Sequence, residues 1–252
     1  MSDTFNDRFG SVAAHYASSR PTYPATLFDW LAAQCSSRDV AWDCGAGSGQ
    51  ASLELTKYFN HVVATDASDA QIAQATAHPR ITYRVAPAEN SRIQTQSADI
   101  VIVAQALHWF DLNQFYAEAT RVLKPDGVIA AWSYGMLIVE GDEVNALVQQ
   151  FYSDDLGAYW PPERRHVENG YRDFAFPFRR ISPPPFSMRT HWNLEQLLGY
   201  FRSWSATAQF IKTHGVDPVA IVEQRLRTCW GDADRVREID WPLAMLAGRT
   251  TC

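Results

Sequence analysis

The chain has 252 residues, 22 basic and 28 acidic side chains, a formal net charge of -6 and 46% hydrophobic residues, the balance of a globular protein of one large domain or two small ones. The acidic excess argues against nucleic acid as a partner. No apolar run approaches the ~18–20 residues of a membrane span, and Asp3, Asp7 and Arg8 leave no apolar signal core near the start, so a cytoplasmic protein with no membrane partner is expected.

Residues 4–19 have helical character without strong periodicity, and Arg20-Pro21-Thr22-Tyr23-Pro24 breaks the chain. Leu27, Phe28 and Leu31 predict a short amphipathic helix over 25–35. Apolar runs at 39–44, 61–65, 81–85, 99–104 and 127–133 follow, most of them separated by helical segments. Short continuous runs of this kind suit strands covered on both faces of a parallel sheet. Ser68 with Gln71, and Asp111 with Gln114, can cap two of the intervening helices, the second stopping at Lys124-Pro125-Asp126-Gly127.

Beyond Tyr134 the pattern changes. Val144, Leu147, Val148 and Phe151 fall at helical spacing, and the proline-rich stretch 157–185 holds no sustained period. Phe186, Met188, Thr190 and Trp192 alternate, which predicts a strand over 186–192. Asn193 caps a helix with Leu194, Leu197, Leu198 and Phe201 on one face, and Asp217-Pro218 opens another with Val219, Val222 and Leu226 inward. A final strand is expected within 238–247, mostly after Pro242, because proline cannot donate to a ladder. Cys35, Cys44, Cys229 and Cys252 form no CxxC pair, and the histidines have no ligand spacing, so reduced thiols and no metal are expected.

The segment Val40-Ala41-Trp42-Asp43-Cys44-Gly45-Ala46-Gly47-Ser48-Gly49-Gln50 carries the most chemistry. A strand runs into a glycine turn and a helix follows. Glycines there permit positive φ and close approach of a ligand to the backbone. Asp66 ends the second strand, where a carboxylate can accept from both hydroxyls of a ribose. The dinucleotide fingerprint G-x-G-x-x-G is absent, since the glycines stand at 45, 47 and 49 and position 50 is Gln. Asp43 would repel a pyrophosphate but suits a cationic amino-acid group. The implied ligand is a nucleoside with a positive, amino-acid-like tail. A plain strand–helix junction at the glycines, and a helix cap at Asp66, are the alternatives.

D-C-G-A-G-S-G-Q followed by Asp66 resembles the opening motifs of class I S-adenosylmethionine (SAM)-dependent methyltransferases. The chain is similar, more narrowly, to the methyltransferase type 11 group that includes trans-aconitate methyltransferase-like proteins. That likeness rests on Phe9, Tyr16, Arg20-Pro21, Tyr23-Pro24, Ala86-Pro87-Ala88-Glu89, Ala104 to Phe110, the L-K-P-D-G-V stretch at 123–128, and Trp204-Ser205. The resemblance implies a Rossmann-like α/β fold: a seven-stranded, mostly parallel sheet with helices on both faces and its last strand antiparallel. It implies one methyltransferase domain over 1–252, with a helical lid at 1–36 and a helical, irregular insertion at 136–192 over the substrate side.

The resemblance also implies roles. Asp43, Gly45, Ala46, Gly47 and Gly49 would hold the methionine part of SAM. Asp66 would bind the ribose, with Ala67 against the adenine and Ala88-Glu89 at its edge. Gln105 and Ala106 would line the sulfonium side. Tyr16 and Arg20 would close over the cofactor, Arg20 pairing with its carboxylate. His108, just past the fourth strand, is the candidate catalytic group, either a base for a hydroxyl or a binder of a substrate carboxylate. Trp109, Trp132, Arg202 and Trp204 are the further candidates for the acceptor. Of the 32 aromatic residues, 14 lie between Phe151 and Phe210, which predicts an aromatic-walled acceptor pocket.

The expected activity is methyl transfer to a small molecule, with O-methylation of a carboxylic acid as the narrower expectation and a monomer or homodimer as the assembly. A SAM-binding protein without transferase activity and a nucleotide-dependent oxidoreductase are the alternatives.

Overall fold

A computed structural model describes residues 22–250. The predicted lid residues Tyr16 and Arg20, and the helical character of 4–19, lie outside the described residues. The chain forms two compact units. The larger comprises Tyr23–Gly135, Arg165–Phe186 and the residues from Leu243 onward; the smaller contains Met136–Arg164 and Ser187–Pro242.

Nine strands occur among the described residues: β1 (Val40–Cys44), β2 (His61–Asp66), β3 (Ile81–Val85), β4 (Ala98–Ala104), β5 (Leu123–Tyr134), β6 (Ile138–Val139), β7 (Arg179–Arg180), β8 (Phe186–Trp192) and β9 (Arg237–Arg249). All seven predicted strands are present. The two additions, β6 and β7, are two-residue pairings on β9, too short for any alternation to register in sequence.

In the larger unit the strands lie in the order β3-β2-β1-β4-β5-β9. The first five are parallel to their neighbours, and β9 runs antiparallel to β5 from Leu243 to Arg249. The pleat sorts the residues of β1, β2, β4 and β5 between two cores, while the edge strand β3 stays partly exposed. Ala41, Val62, Ile100, Ile102, Val128 and Ala130 face one side, packed by Leu27, Phe28 and Leu31 of helix α1 (Ala25–Ala33) and by Ala51 and Leu55 of helix α2 (Gln50–Leu55). Their neighbours Trp42, Val63, Val101, Val103, Ile129 and Ala131 face the other, packed by Phe115, Ala119 and Val122 of a helix over Leu112–Val122. Both faces of β1, β2, β4 and β5 are covered, which is why they read as unbroken apolar runs rather than alternating ones.

β5 begins four residues before its predicted start. Leu123 already pairs with Ala98, and Asp126 takes a φ of +58° where the register shifts. Lys-Pro-Asp-Gly is therefore an irregularity inside the strand, which replaces the expected loop. β9 runs through Pro242 with residues 237–241 before it, where the strand is expected mostly after it. Asp240 pairs with Ile138 and Leu243 with Tyr134, so Pro242 falls at the step where β9 passes from one of these partners to the other.

The N-terminal ends of β1, β4 and β5 are tied by Asp99. It accepts from the Asp39 and Val40 N–H groups at 2.7 and 2.9 Å, from Lys124 Nζ at 2.7 Å and from the Ser37 hydroxyl.

In the smaller unit the helices Asp142–Gln150, Leu194–Arg202, Ser205–His214 and Pro218–Trp230 surround an aromatic cluster. The predicted caps are present: Asn193 and Gln196 form a capping box, and Asp217 accepts from the Val219 N–H. The helix Ser205–His214 has no sequence forecast. No helix among the described residues is long and apolar enough to cross a membrane, and none of these residues form a group able to hold a metal ion.

Candidate active site

The strand order reverses direction between β1 and β4, so the turns after these two strands open a crevice at their carboxyl ends, where open α/β sheets bind ligands. Gly45, Gly47 and Gly49 take φ of +71°, +56° and +88°. The Gly45 and Ala46 N–H groups both donate to Thr65 O, at 2.8 and 3.0 Å, which lashes the turn to β2. A Cβ at Gly45 would stand 2.6 Å from Ala106 Cβ and 3.1 Å from the Phe110 ring. A Cβ at Gly49 would strike the Tyr83 hydroxyl. Gly45 and Gly49 are thus demanded by space as well as by φ, and Gly47 by φ alone.

Asp43 is fully buried. Its Oδ2 accepts from Ser52 Oγ at 2.5 Å, while its Oδ1 has no partner. Burial, reinforced by the Asp66 carboxylate, pushes its carboxyl up to about 7 against the pull of the Ser52 hydroxyl. A buried carboxylate oxygen left unpaired destabilises a fold unless something completes it, and a cationic amino group is the chemistry that would. Asp66 is held from the backbone: Gly47 N–H donates to Oδ2 at 2.8 Å and Ser68 N–H to Oδ1 at 2.9 Å. Each carboxylate oxygen has two acceptor sites, so this hold leaves capacity for hydroxyls. A nucleoside with an amino-acid tail, as in SAM, fits this set.

Around the crevice, Glu89 accepts from the Asp111 N–H at 3.0 Å, which joins the loop after β3 to the turn after β4. Ala88 is buried and Ala67 exposed. Gln105 takes a φ of +59°, and its side chain is committed: Nε2 donates to Tyr134 O at 3.0 Å and Oε1 accepts from Tyr134 N at 2.9 Å. Ala106 closes on Gly45, as described. His108 stands two residues on, its Nδ1 3.0 Å from the hydroxyl of Tyr171 and its ring 4.7 Å from that of Trp109.

Not every predicted residue joins this set. Trp132 is fully buried on the α1 face of the sheet, edge-on to Tyr23 and Phe28, and the pleat turns it away from the side that holds Tyr171. In the smaller unit, Arg202 pairs with Asp217 and Glu223 at 3.2 and 3.4 Å, so its charge is already answered. Trp204 is buried among Phe151, Tyr152, Trp160, Tyr200 and Phe201. Three residues that sequence reasoning missed belong to the site: Ser52, Tyr83 and Tyr171. Ser52 had a signal, a hydroxyl between Ala51 and Leu55 on the apolar face of its helix. The other two had none, because nothing local says which partner a distant tyrosine meets.

A family model described as a methyltransferase domain matches residues 42–131. A protein of Dictyostelium discoideum assigned as a methyltransferase is 33% identical to the chain, over 97% of this chain and 95% of that one. The chain belongs to the SAM-dependent methyltransferases. A solved structure from Anaeromyxobacter dehalogenans, assigned to the type II methyltransferases, superposes with a TM-score of 0.87 at 46% identity, over 91% of this chain and 97% of that one. A Saccharomyces cerevisiae protein assigned as SAM-dependent is 33% identical, over 63% of this chain and 59% of that one. SAM is therefore the cofactor of this methyltransferase, and the oxidoreductase alternative falls. The buried Asp43 oxygen and the Asp66 carboxylate both stand at the carboxyl ends of the first two strands of this fold.

Proposed function

We propose that this methyltransferase acts on a small molecule, and that the acceptor is a carboxylic acid methylated on oxygen, as the likeness to the trans-aconitate methyltransferase-like group implies. The observation that carries the reading is His108, at the carboxyl end of β4, on the same turn whose Ala106 and Phe110 close on Gly45. Bound SAM supplies a methyl carbon already activated by its sulfonium. What remains for the chain is to bind, align and exclude water.

In this reading Asp43 accepts from the amino group of the cofactor and Asp66 from the ribose hydroxyls. Ala67, Ala88 and Glu89 flank the base. Gly45, Ala46, Gly47, Gly49, Gln105 and Ala106 form the rest of the cofactor wall through backbone and Cβ atoms. A carboxylate acceptor arrives ionised and its oxygen needs no base, so His108 serves it as a binding group, with Trp109 beside it. The expected lid over 1–36 narrows to the segment before α1, with Tyr16 and Arg20, because α1 is packed into the core of the sheet; the insertion 136–192 and Trp204 confer acceptor choice within one methyltransferase domain over 1–252.

The test is a panel of carboxylic acids, phenols and amines incubated with the protein and SAM, read by mass spectrometry. Acids should gain one methyl group, and the product should be an ester cleaved by mild base. Turnover of amines or phenols alone would overturn the acceptor class. SAM binding by calorimetry without any turnover would favour a SAM-binding protein that transfers nothing.

A further inference from the structure

Tyr171 is built into its place with unusual firmness. Its side chain is entirely buried in the core under the Leu112–Val122 helix. Its backbone takes a φ of +60°, directly after Gly170 at +61°, and its N–H donates to His166 O at 2.9 Å. A non-glycine residue with positive φ is uncommon, and such strain gathers at functional sites. The turn is clasped from both sides: Phe174 stacks on the Tyr171 ring at 5.3 Å and 12°, and His166 Nδ1 meets Asp173 at 2.6 Å. The fold thereby presents the phenol oxygen to Nδ1 of His108 at 3.0 Å.

The chemistry of this pair is directional. The hydrogen bond made at one ring nitrogen of a histidine sets where the ring carries its proton. A histidine serving as a base through Nε2 is normally held at Nδ1 by a carboxylate or carbonyl, which only accepts and so keeps the proton on Nδ1. A phenol can donate. Its oxygen lone pairs are drawn into the ring, which makes it a better donor than acceptor, and an imidazole nitrogen is a strong acceptor.

Resting on the acid-methylating role given to His108 above, we propose that Tyr171 is a positioning residue that donates to His108 Nδ1 and so fixes the proton on Nε2, making His108 a hydrogen-bond donor to an acceptor oxygen rather than a base. The acceptor class that fits is one whose nucleophilic oxygen is already anionic, a carboxylate. No proton has to leave the acceptor during transfer, and His108 ends each turnover in the state in which it began.

The deciding measurement is the nitrogen NMR spectrum of His108 in the wild-type protein, with His108→Gln used for assignment. A proton on Nε2 and a bare Nδ1 are expected. A proton on Nδ1 would overturn the proposal whatever the acceptor proves to be. Tyr171→Phe removes only the hydroxyl. It should raise the KM for an acidic acceptor about tenfold, leave kcat within a factor of about two, leave SAM affinity unchanged and return His108 to a mixture of tautomers. An unchanged tautomer in the variant would overturn the positioning role. If His108→Gln leaves acid turnover intact while the wild-type spectrum shows the Nε2 proton, it is the acid-methylating role of His108 that has failed and not the tautomer assignment.

Discussion

A carboxylate as deeply buried as Asp43, with one oxygen unpaired, works against the fold that holds it. Its pKa rises from an ordinary value near 4 to about 7 on folding, so folding takes up a proton between those two values. The sign follows: this group lowers stability progressively as pH rises from about 4 to about 7, and no further above that. In Asp43→Asn the slope should vanish. Thermal melts of the protein without ligand from pH 5 to 7.5 should show the variant gaining on the wild type as pH rises, and a constant difference would count against it. The same variant should lose SAM affinity by about tenfold or more, because a hydrogen bond to a charged group contributes about 1.5–3 kcal/mol. The destabilising charge is what the cofactor's amino group would neutralise.

Glycines with positive φ separate shape from backbone freedom. Gly45 and Gly215 have nearly the same φ, +71° and +72°, but a Cβ at Gly45 meets Ala106 and Phe110 while one at Gly215 meets nothing within 4 Å. Both alanine variants bear the left-handed penalty of roughly 1–2 kcal/mol. Gly45→Ala adds overpacking of about 1–3 kcal/mol. It should therefore melt lower than Gly215→Ala, and only Gly45→Ala should abolish SAM binding by calorimetry. Equal melting losses would mean that the turn opens freely and that its tightness has no role.

At the scale of elements, the site is held by connections that lie outside it. Glu118, on the Leu112–Val122 helix, accepts from Ser91 N and Oγ at 2.8 and 2.6 Å and pairs with Arg121, whose guanidinium also donates to Ile93 O. This ties the helix to the loop that carries Ala88 and Glu89. The Arg121 hydrogen bonds, with help from Ser91, draw the Glu118 carboxyl down to about 2. A carboxylate with a depressed pKa stabilises the fold above its unfolded value, and that contribution is lost as pH falls from about 4.5 to about 2. Glu118→Gln should destabilise by about 2 kcal/mol, less than a fully enclosed pair would, because Arg121 is more than a third exposed. It should also flatten acid unfolding below pH 4.5 and, if the loop of Ala88 and Glu89 flanks the base as proposed, weaken SAM severalfold by loosening that loop. Unchanged acid unfolding would refute this.

The elements that were legible in sequence were those whose own residues decide them. β1, β2, β4 and β5 announce themselves because both faces are covered, and Ser68, Asp111, Asn193 and Asp217 mark helix starts through caps that are local hydrogen bonds. The glycine turn with Asp43 and Asp66 was legible for the same reason. What sequence could not give was set at a distance. β6 and β7 exist because β9 offers them an edge. The Ser205–His214 helix buries only Ala206 and Thr207, too few to make a stripe. Tyr171 meets His108 across 63 positions, and Trp132 stands among the acceptor candidates in sequence because nothing local says which face of β5 it takes.

For the molecule as a whole, the proposed site residues sort between the two units. Every cofactor residue proposed within the described chain, from Asp43 to Ala106, belongs to the larger unit, and so do His108 and Tyr171. Trp192 and Trp204 belong to the smaller, where Trp192 packs with Tyr200 and Trp241 and Trp204 joins the ring cluster of Phe151, Tyr152 and Trp160. Phe151, Tyr152, Tyr171, Phe178, Trp192, Tyr200, Phe201 and Trp204, which make up much of the aromatic excess of 151–210, are core. Whether that core also shapes acceptor choice is decided by comparing two readouts on one variant. Replacing a buried Trp by Ala costs roughly 3–5 kcal/mol, enough to disturb the smaller unit as a whole. Trp204→Phe keeps a ring in place and is the gentler probe. If the smaller unit confers acceptor choice, Trp204→Phe should raise the acceptor KM about tenfold while the SAM dissociation constant stays within a factor of about two, and Trp204→Ala should widen that gap. A parallel loss of both affinities would mean that the aromatic cluster does no more than hold the fold together, and the acceptor would then have to be read entirely from the turn that carries His108.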